Sequence, residues 1–196
     1  MTVGLSKRFS PKMSGCGRVV RLWLFLLGVC PAAAIARGTE VQIPRVQEAQ
    51  ISLNGEWRLS VSPPEQFWLN QVSAETWPTI PVPGELHANG FKVEYDKPFV
   101  YKTRMVVPRD YAGQRVELHF EAVYNLARVW VNERPAGTHQ GGFTPWSCDI
   151  TDLVTPGREA TVTIEVTAVS REISFGGKAV RNIGGILRDV ELRARP

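Results

Sequence analysis

The sequence predicts an all-β fold, an antiparallel β-sandwich of the jelly-roll type, on three observations. Apolar residues recur with period two in several short runs, turn signals separate those runs, and no helical period persists beyond a turn or two. Alternation of this kind sets one face of a strand on a core and the other in water, as antiparallel sheets do. Many short strands joined by Gly- and Pro-rich turns build a sandwich.

Taken from the N-terminus, residues 1–36 form a secretory signal. Five basic residues (Lys7, Arg8, Lys12, Arg18, Arg21) and no acidic ones precede the apolar "LWLFLLGVC"; "PAAAIA" follows, with Ala34, Ile35 and Ala36 before the cleavage point at Arg37. The apolar run falls short of the roughly 20 residues a membrane-spanning helix needs. The expectation is export to the periplasm or the cell exterior, with no stable membrane insertion after cleavage. Cys30 raises a lipid anchor as the alternative, although Val29 is a poor match to the small residue that such a signal takes. Residues 37–50, polar and without period, lead into the first strand at Ile51, and one domain of residues 51–196 follows.

Five of the 23 basic residues lie in the leader, so the remainder carries 18 basic against 19 acidic side chains. A near-neutral domain offers no electrostatic footing for nucleic acid. Cys16 and Cys30 also lie in the leader, leaving Cys148. An intrachain disulfide is thereby excluded in the mature part, as is a Cys-rich metal site, and neither a metal nor any other cofactor is expected.

"PEQFWLNQV", near the start of the domain, is the one stretch that could make a short helix. In "PFVYKTRMVV", Phe99, Tyr101, Thr103, Met105 and Val107 share a face opposite Lys102 and Arg104. "QRVELHFEA" puts Val116, Leu118, Phe120 and Ala122 inward, with Glu117, His119 and Glu121 on a solvated face. "ATVTIEVTA" sets Val162, Ile164, Val166 and Ala168 against Thr161, Thr163, Glu165 and Thr167. Turn signals intervene at "PVPGE", "PRDYAGQ", "NERPAG", "VTPGRE" and "SFGGK".

"SLNGEWRLS", "WPTIPVPGE", "YKTRMVVP", "LHFEAVYNLARVWVNERPAGTHQGGFTPWSCDITDLVTPG" and "GGILRDVELRARP" resemble, in order and spacing, the N-terminal sugar-binding β-sandwich of glycoside hydrolase family 2. That family includes β-galactosidases, β-glucuronidases and β-mannosidases. The resemblance covers residues 51–196 and implies a galactose-binding-domain-like jelly roll. In the full enzymes this is followed by an immunoglobulin-like domain and a (β/α)8 barrel carrying two catalytic glutamates.

Within "AGTHQGGFTPWSCDIT", Gly141 and Gly142 allow positive φ or close chain approach. Phe143 and Trp146 are expected to cover the end of the core, and Asp149 or Thr151 to cap the following turn. The segment reads as a sandwich corner; the alternative, His139 as ligand or base, requires an orienting partner.

Glycoside hydrolysis needs two carboxylates, about 5 to 5.5 Å apart for retention or 6.5 to 9.5 Å for inversion. The family carries that pair on a barrel of about 250 residues, and this chain stops at Pro196. No catalytic residue is therefore assigned, and Glu117 and Glu121 are read as surface charges. There is no G-x-S-x-G elbow for a serine hydrolase, with only His87, His119 and His139 present, and no phosphate-binding glycine motif.

By the resemblance, the sugar approaches the loops. "GELHANGFKVEYDKP" offers His87, Asn89, Tyr95 and Asp96, whose groups suit sugar hydroxyls and equally suit ordinary turns. "GGKAVRNIGGILRDV" offers Lys178, Arg181 and Asn182. The resemblance implies an acid there in β-galactosidase-type members, and its absence before Asp189 argues against galactose and an ion, while the cations suit a uronate.

Trp57 and Trp77 are read as core. Trp130 falls opposite Val129 and Val131, a surface for a sugar or for an adjoining barrel. Arg188 shares the alternate face with Ile186, Val190 and Leu192 and is expected to have a carboxylate partner. Three functions fit: a non-catalytic carbohydrate-binding and scaffolding domain of an exported family 2 glycosidase, a free-standing lectin-like module, or a docking module for a separate catalytic chain or barrel domain.

Overall fold

The computed structural model describes residues 49–169, 174–175, 178–179 and 183–196, the two short middle segments by backbone alone. The expected leader, most of the lead-in, and Arg181 and Asn182 lie outside the described residues.

In chain order the strands are β1 (Ala49–Ser52), β2 (Gly55–Ser60), β3 (Thr79–Val82), β4 (Gly84–Glu85), β5 (Pro98–Val106), β6 (Arg115–Phe120), β7 (Val123–Tyr124) and β8 (Leu126–Val131). They continue as β9 (Arg134–Gln140), β10 (Trp146–Asp149), β11 (Glu159–Thr167), β12 (Ser174–Phe175), β13 (Lys178–Ala179), β14 (Gly185–Ile186) and β15 (Val190–Arg195). The first strand therefore opens at Ala49, two residues before the expected boundary. Short 3-10 turns occupy His87–Asn89, Arg109–Tyr111 and Thr151–Leu153.

A four-stranded sheet, β1-β15-β6-β10, faces a six-stranded sheet, β3-β2-β5-β11-β8-β9, and the pairings are antiparallel. A small sheet, β4-β14-β7, joins three distant parts of the chain, and β12 pairs with β13. The fold is the all-β sandwich that period two predicts. Val116, Leu118 and Phe120 of β6, with Val190, Leu192 and Ala194 of β15, meet Tyr101, Val162, Ile164, Val166 and Val129 in one core. Each fully buried side chain of this size contributes about 1.5–3 kcal/mol. Trp57 is 2% exposed, and its indole N–H donates to Leu53 O at 2.9 Å. Trp77, expected in the core, is only half-buried in the turn before β3, where its carbonyl accepts a bond from Arg58.

The hairpin from β8 to β9 turns on Asn132 and Glu133, both in the left-handed region (φ 48° and 69°), so Val131 pairs with Arg134. Two positive φ values are what a two-residue hairpin of right-handed twist requires.

"PEQFWLNQV" makes turns rather than the expected helix. Gln66 has φ 54°, which breaks a helical run, and the amides of Leu69 and Val72 donate only three residues back, to Gln66 and Leu69. The carbonyls of Phe67, Leu69 and Val72 instead receive the ammonium of Lys102, at 3.1, 2.9 and 2.8 Å. Phe67 then stands edge-on to both Trp68 and Trp130, and Trp68 stacks on Trp130 at 5.7 Å. The segment lies over the outer face of the six-stranded sheet.

The outer face of β6 is likewise not the solvated surface that alternation implies. Glu117 is 5% and His119 7% exposed, because Arg115 of β6 itself, Arg195 of β15 and Ser147 of β10 close over them.

Candidate functional site

One end of the sandwich gathers the loops. Gly84 and Glu85 pair with Ile186 and Gly185, which pair in turn with Val123 and Tyr124. Leu86, fully buried, pins the start of the 86–96 loop and donates its amide to Gly184 O at 2.9 Å. The 3-10 turn that follows is held by Glu85: Ala88 N donates to its carboxylate at 2.6 Å and Asn89 Nδ2 to its carbonyl at 2.7 Å. His87 and Asn89 are thereby presented to solvent. Tyr95 is half-buried against the core, and Asp96, exposed at φ 61°, donates its amide to Ala168 O. Thus four residues expected from the sequence share one loop at one end. Val169 is bonded to Asn125 and Gly184 to Leu86, so both residues lie at this same end. Lys178 has its backbone in β13, and its side chain, like Arg181 and Asn182, is outside what is described.

Asn125, absent from the sequence reasoning, ties this end together. It is 1% exposed; its Oδ1 accepts from Val169 N at 2.8 Å, and its carbonyl accepts from Gly141 N at 2.8 Å. An amide-bearing residue between apolar "VY" and "LA" was the signal, since a buried polar side chain must find partners. Gly141 adopts φ 146°, and a Cβ on Gly142 would lie 2.3 Å from the Tyr124 ring, so the turn needs both glycines. Phe143 does not cover the core: it is 55% exposed and leans on Tyr124, with ring centroids 5.4 Å apart. With Gly142 pressed onto Tyr124, the chain runs outside that ring, and the phenyl group points past it. Trp146 fills the core edge instead, stacked on Phe120 at 4.6 Å, and His139 stacks on Trp146 at 4.9 Å. The His139 Nε2 partner is Thr144 Oγ1 at 3.3 Å, a hydroxyl rather than the carboxylate that would orient a general base.

Two expected residues lie elsewhere. Trp130 is on the outer face of the six-stranded sheet, opposite Val129 and Val131 as its spacing requires, but Trp68 covers one of its faces. Arg188 is exposed in a bend between β14 and β15, with no carboxylate partner among the described residues. The strand breaks at 187–189, so the alternation that placed its side chain on an apolar face does not extend through it.

The carboxylates of β6 are engaged in ion pairs and hydrogen bonds. Glu117 accepts Arg115 at 3.0 Å and Arg195 at 3.7 Å. Arg115 also holds Asp149, whose carboxyl is kept below its ordinary range by the hydroxyl and amide of Thr151 and by that arginine. His119 bridges Ser147 Oγ and Glu121 Oε1, each at 2.9 Å. This Ser–His–Glu series has the connectivity of a nucleophile, base and orienting acid, yet it lies across two paired strands on an outer sheet face, where Arg193 also reaches Glu121 at 3.7 Å. It serves as a cross-strand tie. Burial, with Glu117 and Asp149 adding to it, pushes the Cys148 thiol up to about 12, so it is a poor nucleophile at neutral pH.

A model of the family described as "Glycosyl hydrolases family 2, sugar binding domain" matches residues 94–196. The chain is 34% identical to a beta-glucuronidase of Paenibacillus borealis over 124 residues, 60% of this chain and 21% of that protein. It is 36% identical to a beta-galactosidase of Thermoanaerobacter pseudethanolicus over 106 residues, 51% of this chain and 14% of that one. The structure of Ruminococcus gnavus beta-glucuronidase superposes with a TM-score of 0.65 at 24% identity, covering 79% of this chain and 29% of that one, a likeness of fold. The match thus spans about a fifth or less of the length of these curated relatives.

Proposed function

The chain belongs to family 2 of the glycosyl hydrolases, within its sugar binding domain, and from that premise we propose that it is the sugar-facing scaffold of an exported glycosidase. Its loop end takes the glycone of a β-glucuronide in preference to a β-galactoside. The observation that carries this reading is the small sheet β4-β14-β7, which brings the 84–96 loop together with Val169 and Gly184 at one end of the sandwich. Loops fixed on a rigid sandwich are the usual place for such contacts. Relatives named beta-glucuronidase, together with the cations Lys178 and Arg181 that the sequence carries between Val169 and Gly184, support a uronate.

In this proposal hydrolysis belongs to carboxylates outside the sandwich. A glycosidase pair must flank a bound sugar, whereas Glu117 and Glu121 are tied to arginines and His119 on an outer sheet face. An adjoining barrel would supply the pair, and Phe143 is the exposed apolar side chain at the loop end that it would cover.

Calorimetric titration with methyl β-D-glucuronide and methyl β-D-galactoside, alongside turnover of the p-nitrophenyl glycosides, tests the reading. Binding without turnover is expected, tighter for the glucuronide, and weakened about tenfold by Asn89→Ala or Asp96→Ala. Turnover lost in Glu117→Gln or Glu121→Gln would overturn the scaffold assignment. Affinity indifferent to both loop changes would overturn the loop end as the site.

A further inference from the structure

The outer face of the six-stranded sheet carries a trough of about 830 Å³, a size suited to a ligand larger than one sugar ring. It lies apart from the loop end, and its shape is fixed before any ligand arrives. One wall is the 70–75 stretch of the segment that Lys102 holds by three carbonyls. A second tie comes from the β8–β9 turn, where Glu133 Oε1 accepts Asn70 N at 2.6 Å. The floor is formed by Arg58 of β2, Lys102 and Arg104 of β5, and Thr161 of β11, which lie side by side in the strand register.

The lining selects a ligand chemistry. Two guanidinium groups, Arg58 and Arg104, stand among three carboxylates, Glu56, Glu75 and Glu159, while the Lys102 ammonium is already committed to main-chain carbonyls. No strongly charged polymer finds a complementary field there. The apolar contribution is limited to Val72 and Ala74, too little for a hydrophobic ligand or for the side chains of a peptide. What remains is a mixture of donors and acceptors, the side-chain amide of Asn70 and the hydroxyls of Ser73 and Thr161, while the Asn132 amide is already held between Leu153 O and Thr161 N. Arg58 uses one N–H on Trp77 O at 2.9 Å, and Arg104 meets Glu159 only at 3.8 Å, so both retain donors for a ligand.

We infer that this trough is a second carbohydrate site, one that binds a short neutral oligosaccharide along the outer face of the six-stranded sheet, independently of the loop end. Each sugar hydroxyl both donates and accepts, which matches a lining that alternates guanidinium, carboxylate, amide and hydroxyl groups. Among the described residues no aromatic ring lines the trough, so affinity is weak, on the order of 1 mM. The site would keep the protein on a glycan while the loop end engages a chain terminus, by raising the local concentration of ends.

The test is a titration of the 15N-labelled chain with cellotriose, xylotriose and β-1,4-galactotriose, with trigalacturonate as the charged comparator. At least one neutral trisaccharide is expected to shift amide resonances at 70–75 and 102–104, and Arg58→Ala is expected to weaken it about tenfold. Glu56→Gln, a change at an exposed position, repeats the measurement should Arg58→Ala fold poorly. No shift from any neutral trisaccharide, shifts confined to 84–96, or tighter binding of trigalacturonate would each overturn the assignment. A loop end that fails to bind monosaccharide glycosides leaves these readouts untouched, so the two sites stand or fall separately.

Discussion

On the four-stranded sheet, Glu117 is 5% exposed and meets two arginines; on the six-stranded sheet, Lys102 is also 5% exposed, and its three hydrogen bonds all go to main-chain carbonyls. Both residues occupy outward positions on alternating strands, and both are buried. The first face closes over its charges with side chains of opposite sign, Arg115 of the same strand and Arg195 of β15 for Glu117, and Arg193 of β15 beside Glu121. The second closes over its charge with a stretch of backbone drawn across the sheet. Side-chain pairing distributes the charge among several groups that can each find water. A backbone clasp concentrates it on one group whose loss frees the whole segment.

The largest effect should therefore come from Lys102→Met. It leaves the carbonyls of Phe67, Leu69 and Val72 without their donor and releases the cover over Trp130, a cost of about 3 kcal/mol. Urea unfolding should show that loss, and chymotrypsin should gain a cut near Phe67 to Leu69. An unchanged unfolding midpoint with no new cut would mean that the Trp68–Trp130 stack and the Asn70–Glu133 bond hold the segment without the ammonium. Burial lowers the ammonium's pKa, so the proton leaves more easily in the folded chain than in the unfolded one, and rising pH should not by itself loosen the segment relative to the rest of the fold.

Glu117→Gln should cost less, about 1 kcal/mol, because Arg115 keeps Asp149 and both arginines of the pair are largely solvated. Equilibrium unfolding of the two variants side by side ranks them. A loss at Glu117 equal to that at Lys102 would erase the distinction between the faces.

The charges of the four-stranded sheet also reach inward. Cys148 lies beneath Glu117 and Asp149, and burial followed by those two carboxylates raises its thiol from 9.0 to about 12. The folded pKa lies above the unfolded one, so the stabilisation from the neutral thiol is complete below about pH 9 and disappears as pH climbs towards 12. In Cys148→Ala the fall in stability between pH 8 and pH 11 should be shallower than in the parent, after subtracting the constant cost of the smaller side chain. Parallel pH profiles for the two proteins would show that the thiol does not contribute to the slope.

The inner faces of the strands were legible in the sequence because period two depends only on local chain geometry: Val116, Leu118 and Phe120, or Val162, Ile164 and Val166, have nowhere to go but inward. The outer faces were not, since what covers them comes from far along the chain. Lys102 finds carbonyls 30 to 35 residues away, and Asn125 finds Val169 at a separation of 44. The loop 86–96 could be named as a group, but its meeting with 183–186 depends on β14 pairing with both β4 and β7. The turn at Gln66 was hidden for a related reason, since a helical-looking apolar spacing carries no notice of a cation that takes the carbonyls.

Arg188 measures how local such a misreading can be, and it should give the smallest effect. Taken as one strand, "ILRDVEL" puts its side chain on an apolar face, but the chain changes sheets between Ile186 and Val190. The change is made by backbone: the amides of Leu187 and Arg188 both donate to Ala122 O, at 2.9 and 3.4 Å, and Glu121 N donates to Asp189 O at 3.0 Å. Asn54 then closes the bend, with Nδ2 on Asp189 Oδ1 at 2.9 Å and Oδ1 accepting Val190 N at 3.0 Å. The guanidinium is exposed and takes no part in these bonds, so Arg188→Ala should change unfolding free energy by no more than about 0.5 kcal/mol. Asn54→Ala, which removes both side-chain bonds at the bend, should cost about 1–2 kcal/mol. Were the order reversed, the switch between sheets would rest on a side-chain ion pair, and the sequence-based placement of Arg188 would be the better account of this corner.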